Sequence, residues 1–166
     1  MRWLPRDYGR NYSKKIHQGL EFFLFGFRKL IVVCIFCDIL SGKRDGHVIY
    51  EDDLHIAFLD KYPIDTGHSL VIPREHHEKI TDMQTDAVGG LFSVVPKIAK
   101  AILDATGADA FSLGQNNGKS AKQIIPHVHV HIIPRYDGKG TMWTKRQIAN
   151  DDELSDLAKK IHNFLI

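Results

Sequence analysis

Residues 127–134 read His-Val-His-Val-His-Ile-Ile-Pro. Side chains on a β-strand point alternately to opposite faces of a sheet, so an extended run would place all three histidines on one face. Valine and isoleucine favour strands, and this alternation is typical of a half-buried strand with one polar face. Each imidazole titrates near neutral pH and can act as a nucleophile, an acid or base, or a metal ligand. We therefore expect the chemistry on the histidine face of this strand.

The chain has the length and composition of one globular domain. Its 166 residues are 43% hydrophobic and 25% charged, with a formal net charge of +2, and this length suffices for a buried core. The charge is uneven, because residues 1–33 hold seven Lys/Arg against two acidic residues, whereas residues 34–166 hold 15 against 18. We therefore expect no specific nucleic-acid-binding surface on the body of the domain.

The first 32 residues are basic and rich in aromatic side chains. We interpret residues 1–32 as an N-terminal extension and residues 33–166 as the domain. The extension is either dispensable, peripheral or flexible, or an arm that touches a membrane surface or nucleic acid. Arg28 and Lys29 interrupt its apolar run, so we expect no membrane span. No signal-peptide cleavage site is evident, and we expect a cytoplasmic protein.

Two cysteines, Cys34 and Cys37, are the only ones in the chain, and two residues separate them. This number is too small for a disulfide framework. The pair therefore indicates a reducing compartment and either a metal-binding or a redox role.

Hydrophobic periodicity predicts an α+β domain. A short helical turn is expected from Cys34 to Leu40, and apolar spacing after Gln84 predicts one long helix, kinked at Pro96, that ends at Gly107. Acidic residues after Asn150, followed by an apolar stripe, predict a C-terminal helix. Strands are predicted at Val48–Tyr50, Ile56–Asp60, Ser69–Ile72 and Ala110–Leu113, before the histidine strand. Short turns between most strands favour an antiparallel sheet of about five strands with the long helix packed on it.

Five segments together resemble the histidine triad (HIT) family. Residues 127–133 are similar to its H-x-H-x-H signature, which two apolar residues follow. Four further segments resemble family motifs in order and spacing: Cys-Ile-Phe-Cys at 34–37, Asp-Lys-Tyr-Pro at 60–63, Gly-His-Ser-Leu-Val-Ile-Pro-Arg-Glu-His at 67–76 and Asn-Asn-Gly-Lys-Ser-Ala at 116–121. The resemblance covers about residues 33–140 and implies a HIT-like fold.

The resemblance implies an enzyme that hydrolyses or transfers at the α-phosphate of a purine nucleotide conjugate, usually as a homodimer. Dinucleoside polyphosphates and nucleoside phosphoramidates are the expected kinds of substrate. His129 matches the family nucleophile, which forms a covalent nucleotidyl-histidine, while a backbone carbonyl of the same strand holds its other ring nitrogen. His131 matches a residue that touches the α-phosphate and assists proton transfer to the leaving group. His127 matches the supporting flanking position.

Four further positions match nucleotide-binding residues of the family. Asp60 matches the residue that grips the ribose hydroxyls, since a carboxylate accepts two hydrogen bonds from a vicinal diol. Asn116 and Gln123 match residues that contact the phosphates or the leaving group. Gly118 would let the backbone approach the nucleotide closely.

The chain departs from the family pattern at two positions. Many members have Ala-Gly-Gln before the triad, whereas Lys122 replaces the glycine here and either brings a cation near the phosphates or tightens the loop. Many members then have Ser or Thr, but Ile124 has no hydroxyl to donate. A dedicated phosphoramidase is therefore the less favoured interpretation.

The resemblance also implies a structural zinc site. In zinc-bearing members a histidine after the third strand and the first triad histidine complete the cysteine pair, which gives Cys34, Cys37, His76 and His127 as ligands. The alternatives are a reduced cysteine pair with His76 at the surface, or redox chemistry, although no thioredoxin-like context surrounds the pair. His77 is a weaker candidate ligand. No organic cofactor is expected.

Two other functions stay open at this point. One is a nucleotide-binding scaffold protein with little catalysis. The other is a metallohydrolase in which the three triad histidines hold a catalytic metal. Of the remaining histidines, His47, His55 and His162 are expected at the surface, and His68 is expected to be a packing residue or a hydrogen-bonded strut.

Overall fold

A computed structural model of the chain describes residues 34–139 and 148–166. The predicted extension at residues 1–32 lies outside these ranges. The helices and strands follow in the order α1 (Ile35–Leu40), β1 (Val48–Glu51), β2 (His55–Leu59), β3 (Ser69–Pro73), α2 (Thr85–Ser93), α3 (Val95–Thr106), β4 (Ala110–Gly114), β5 (Val130–Arg135) and α4 (Asp151–His162). Within the two described ranges, no helix is both long and apolar enough to cross a membrane.

The five strands form one antiparallel sheet in the order β1-β2-β3-β5-β4. Strand β5, which carries the last triad histidine, lies inside the sheet. His131 is opposite Leu70 of β3 on one side and opposite Gly114 of β4 on the other. The predicted α+β class with an antiparallel sheet is confirmed, and two neighbouring strands hold the backbone at His131 in place.

The two faces of the sheet bury different sets of side chains. Val128, Val130 and Ile132 are each 0% exposed and lie in a core that includes residues of α2, α3 and α4. Each such buried side chain contributes about 1.5–3 kcal/mol. The opposite face forms a second apolar cluster against α1, built from Cys34, Phe36, Ile56, Phe58, Leu70 and Ile72. His127 and His129 pack edge-on against Phe36 of this second cluster, and His131 contacts His129, so the predicted alternation holds.

Two elements differ from the sequence prediction. The strand starts at Val130 rather than His127, because its pairing with β3 extends only to Val130 and Val128 N donates to the carbonyl of His77, a residue outside β3. The predicted long helix is two helices that meet at Val94. Pro96 lies in the first turn of α3, where its missing N–H costs no hydrogen bond, and this position ends the first helix rather than only kinking it.

Candidate active site

A pocket of about 720 Å³ opens between α1 and the sheet. This volume is typical of sites for small organic ligands. Its apolar wall consists of Ile35, Phe36, Ile39, Phe58, Leu59, Leu70, Ile124 and Ile125, and its polar lining consists of Arg44, Asp45, His47, Asp60, Lys61, Tyr62, His129 and Asp151. The pocket therefore offers an apolar slot with three carboxylates and two imidazoles in its polar lining.

The ring of His129 is fixed by one short hydrogen bond. Its Nδ1 donates to the carbonyl oxygen of His127 at 2.6 Å, and because a carbonyl can only accept, Nδ1 must carry the proton. The lone pair of the neutral ring therefore lies on Nε2. Phe36 packs edge-on against the imidazole, with ring centroids 5.4 Å apart, and His129 is only 5% exposed. Rotation of the ring would break the hydrogen bond and this packing.

A chain of hydrogen bonds orients His131. The backbone N–H of Ile64 donates to Nδ1 of His68 at 3.0 Å, so the proton of neutral His68 lies on Nε2. This Nε2 donates to Nδ1 of His131 at 2.9 Å. In neutral His131 the remaining proton is therefore on Nε2, which makes that nitrogen a donor. The ring of His131 lies 4.9 Å from the ring of His129.

Asp60 lies next to this chain and at the wall of the pocket. One carboxylate oxygen accepts from the backbone N–H of Tyr62 at 2.9 Å, and the other lies 3.6 Å from Nδ1 of His68. The backbone bond fixes the carboxylate at the start of the turn after β2. Asp60 and His129 thus line one pocket although 69 positions separate them in the chain.

Cys34, Cys37, His76 and His127 come together in one cluster. Their ligand atoms, one for each residue, all lie within 4.8 Å of one another. Sγ of Cys37 is 3.3 Å from Nδ1 of His76, and Sγ of Cys34 is 3.6 Å from Nδ1 of His127. Two sulfurs and two imidazole nitrogens are a donor set typical of structural Zn²⁺. The four residues predicted as ligands therefore fit a zinc ion. His77 lies apart from this set, with its Nε2 3.3 Å from Glu75.

His127 presents the correct nitrogen to the cluster. Its Nε2 donates to the carbonyl oxygen of Pro73 at 2.9 Å, so the lone pair of Nδ1 faces the two sulfurs, as a metal-binding imidazole requires. Burial lowers the pKa of His127 to about 4, which keeps the ring neutral. Burial together with the adjacent Cys34 raises the pKa of Cys37 to about 11. A protonated thiol is a poor nucleophile, so the raised pKa of Cys37 gives no support to the redox interpretation.

The three triad histidines do not share a metal site in the described part of the chain. Their ring nitrogens have different partners: His127 faces the cysteines, His129 binds a backbone carbonyl and His131 binds His68. The metallohydrolase hypothesis required all three to converge on one ion. The geometry does not support it.

The loop before the triad forms a second cavity of about 470 Å³. Gln123 holds this loop, because its side-chain oxygen accepts from Gly118 N at 2.6 Å and its nitrogen donates to the carbonyl of Glu78 at 2.7 Å. Gly118 and Gln123 line the second cavity rather than the larger pocket, and Asn116 lines neither of the two. Ile124 lines both, so the two cavities adjoin at this residue.

Comparisons with known proteins agree with the resemblance found in the sequence. The family model described as the HIT domain matches residues 41–138. The chain belongs to the HIT family. It is 37% identical to the adenylylsulfatase HINT3 of Arabidopsis thaliana over 80% of this chain and 69% of that protein. It is also 37% identical to the adenosine 5'-monophosphoramidase hnt1 of Schizosaccharomyces pombe, over 77% of this chain and 95% of the relative.

A solved structure confirms the HIT-like fold. A zinc-bound histidine triad family protein from Mycobacterium smegmatis superposes with a TM-score of 0.70 at 33% identity, covering 80% of this chain and 93% of the other. The prediction that this chain is an enzyme of the family is also confirmed, because the relatives whose names state an activity are hydrolases.

Several residues of this HIT protein were missed or misplaced by the sequence interpretation. His47 lies at the pocket, 3.2 Å from Asp151, rather than at an open surface. His55 is buried at 6% exposure, because its Nδ1 bonds the Asp52 carboxylate. His68 is the buried strut that the sequence suggested, but its partner His131 was not foreseen. The only sequence signal that connected His68 with the candidate active site was its position in the Gly-His motif at residues 67–68.

Substitution of His68 tests whether it positions His131. We expect His68→Ala to lower kcat at least about tenfold with a smaller change in KM, because His131 loses the bond that fixes its tautomer. His68→Gln keeps an N–H donor and should restore part of kcat. Steady-state kinetics with calorimetric AMP titration would check this. Equal loss in both variants, or loss of AMP binding together with kcat, would indicate a purely structural role.

Proposed function

We propose that this HIT protein cleaves nucleoside phosphate conjugates at the α-phosphate through a nucleotidyl intermediate on His129. The observation that supports this most strongly is the bond from His129 Nδ1 to the His127 carbonyl, in a ring that lines a nucleotide-sized pocket. That bond makes Nε2 the nucleophilic nitrogen before any substrate arrives. Relatives named adenylylsulfatase and 5'-monophosphoramidase support a nucleotide substrate.

The reaction consists of two displacements. The Nε2 lone pair of His129 attacks the α-phosphorus, an N–P bond forms, and the bond from phosphorus to the leaving group breaks with its electron pair on that group. Water then attacks the same phosphorus and releases a proton to the solvent, and the N–P bond breaks with its electron pair on Nε2 of His129. Because neutral His131 holds a proton on Nε2, it can donate a hydrogen bond to the phosphoryl oxygens or the leaving group.

The lining of the pocket supports a purine nucleotide as substrate. The apolar wall would contact the base, and Asp60 would accept hydrogen bonds from the ribose hydroxyls. The α-phosphate would then lie at His129 in the larger pocket, whose wall includes Ile124, the residue shared with the second cavity. Asn116, Gly118 and Gln123 are proposed to contact the phosphates from the loop side, with Gln123 acting mainly by holding that loop.

Removal of the nucleophile tests this function. His129→Ala should abolish turnover of diadenosine polyphosphates, adenylyl sulfate and adenosine phosphoramidate, while AMP still binds within about threefold, since the pocket wall remains. His162→Ala, which changes an exposed histidine outside this pocket, serves as the matched control. Full turnover by His129→Ala would end the proposal. AMP binding by the wild type without turnover of any of these substrates would instead favour a nucleotide-binding scaffold.

We also propose that the cluster of Cys34, Cys37, His76 and His127 holds a structural zinc ion. The donor set, the tautomer of His127 and the zinc-bound relative support this. When bound, zinc would stabilise both thiolates and tie α1 to the end of β3.

Such a thiol pair is kept in a reducing compartment, which supports the proposed cytoplasmic location. Cell fractionation that finds the protein outside the cytoplasm would contradict that location.

Two adjacent histidines provide a matched test of the zinc site. We expect metal analysis to find zinc bound to the wild type and to His77→Ala, but not to His76→Ala. Loss of zinc should lower Tm by at least about 4 °C, the shift that about 1–2 kcal/mol produces in a domain of this size. Equal zinc content and equal Tm in the two variants would contradict the proposed ligand set.

A homodimer is the third proposal, and the edge of the sheet supports it. Strand β4 pairs only with β5 within the described ranges, and Phe111 and Leu113 are 40% and 44% exposed on it. An exposed apolar edge strand is a template for pairing with a second chain. A second copy of this chain would cover these side chains and extend the sheet.

Light scattering of two leucine variants tests the dimer. Leu113→Lys should shift the protein towards the monomer, because it places a charge at the proposed interface. Leu54→Lys changes a 67%-exposed leucine in the β1–β2 turn and should leave the mass unchanged. A monomeric wild type, or a Leu113→Lys dimer of unchanged stability, would contradict this interface.

A further inference from the structure

The second cavity has lysine side chains on a wall that adjoins the nucleotide pocket. It is lined by Glu78, Gly118, Lys119, Lys122, Gln123, Ile124 and Pro126. Ile124 also lines the larger pocket that contains His129. A leaving group that extends past Ile124 from a nucleotide in the larger pocket would therefore enter this cavity of about 470 Å³.

The charge of this cavity is positive. Lys119 and Lys122 both line it, and Cε of Lys79 lies 3.8 Å from the point where a side chain on Gly118 would begin. Glu78 supplies the only carboxylate among its lining residues, and that carboxylate lies 3.9 Å from Nζ of Lys79. Two lysines thus line the cavity, a third lies beside it, and only one carboxylate balances them, which favours an anion as occupant.

The backbone at Lys122 is strained. Its φ of 62° makes it the one non-glycine residue with positive φ in the described ranges, and such a conformation favours glycine. Its side chain is exposed, so packing does not explain why lysine stands there. Gln123, through its bonds to Gly118 and Glu78, holds the loop that contains this residue. Backbone strain held by a surrounding framework is typical of functional positions.

We propose that this cavity receives the leaving group and that Lys122, with Lys119, selects anionic leaving groups such as sulfate or phosphate over amines. This inference rests on the function proposed above. When the bond to phosphorus breaks, sulfate or a phosphate departs as an oxyanion that keeps the electron pair and needs no proton. An amine must take a proton as it leaves. For that proton the site offers His131 but no additional hydroxyl at Ile124, whereas the lysines stabilise the developing negative charge of an anionic leaving group.

The test compares two substrates that share an adenylyl group. The wild type, Lys122→Gly and Lys119→Met are assayed on adenylyl sulfate and on adenosine phosphoramidate. The ratio of the two kcat/KM values should fall at least about tenfold towards the phosphoramidate in Lys122→Gly, and further in the double variant. Since glycine relieves the strained φ, Tm of Lys122→Gly should be no lower than that of the wild type. Lys160→Met, which removes an exposed lysine of α4, should leave the ratio unchanged.

Ionic strength gives a second readout. The wild-type preference for adenylyl sulfate should weaken as salt rises, and that dependence should be smaller in Lys122→Gly. An unchanged ratio in Lys122→Gly, or an equal fall on both substrates, would overturn the leaving-group site while the enzymatic function stands. Absence of turnover on both substrates by the wild type would instead overturn the function and, with it, this inference.

Discussion

The hydrogen bond from Nδ1 of His129 to the carbonyl of His127 determines which nitrogen can act as a nucleophile. An imidazole that turned freely would present Nδ1–H or Nε2 to the pocket at random, and catalysis needs the lone pair in one place. The carbonyl itself is held because His127 is anchored on both ring nitrogens, by Pro73 and by the cysteine side of the cluster. The proposed zinc site and the proposed nucleophile are therefore coupled through a single residue. Loss of the cluster would disturb the orientation of His129 as well as the stability of the domain.

The two faces of the triad segment, residues 127–133, have different roles: one packs in the core and the other carries the histidines. Val128, Val130 and Ile132 fix the segment in the core, and each is fully buried. The histidines on the opposite side are thereby held at 0–6% exposure, and His129 among them lines the pocket. The histidines are held in place because the buried apolar residues alternate with them along the same segment. The proposed leaving-group side is different, since a loop would supply it, and Gln123 holds that loop through two hydrogen bonds.

The sequence alone predicted the features that depend on local pattern. Period-two alternation predicted the two faces of the triad segment, although β5 itself begins at Val130. The spacing of Cys34 and Cys37, with the resemblance at His76 and His127, indicated the four residues that the fold brings together. Contacts that depend on tertiary placement were not predictable in this way. The bond between His68 and His131 joins residues 63 positions apart, and the burial of His55 depends on a turn carboxylate. The sequence indicated that Pro96 disrupts the helix. Because the apolar spacing continues through α2 and α3, however, it predicted one kinked helix instead of two. The left-handed backbone at Lys122 could not be predicted from the residue itself. The sequence shows only that lysine stands where many members of the family have glycine.

The most direct measurement of the central claim is a rapid-quench experiment on the wild type with excess enzyme over adenylyl sulfate. Intact-mass and peptide mass spectrometry of the quenched protein would show whether an adenylyl group is attached and where. The account predicts an acid-labile, base-stable adduct on the peptide that contains His129, which forms and decays at rates consistent with turnover. Turnover with no protein adduct at any quench time, or an adduct on another residue, would contradict it.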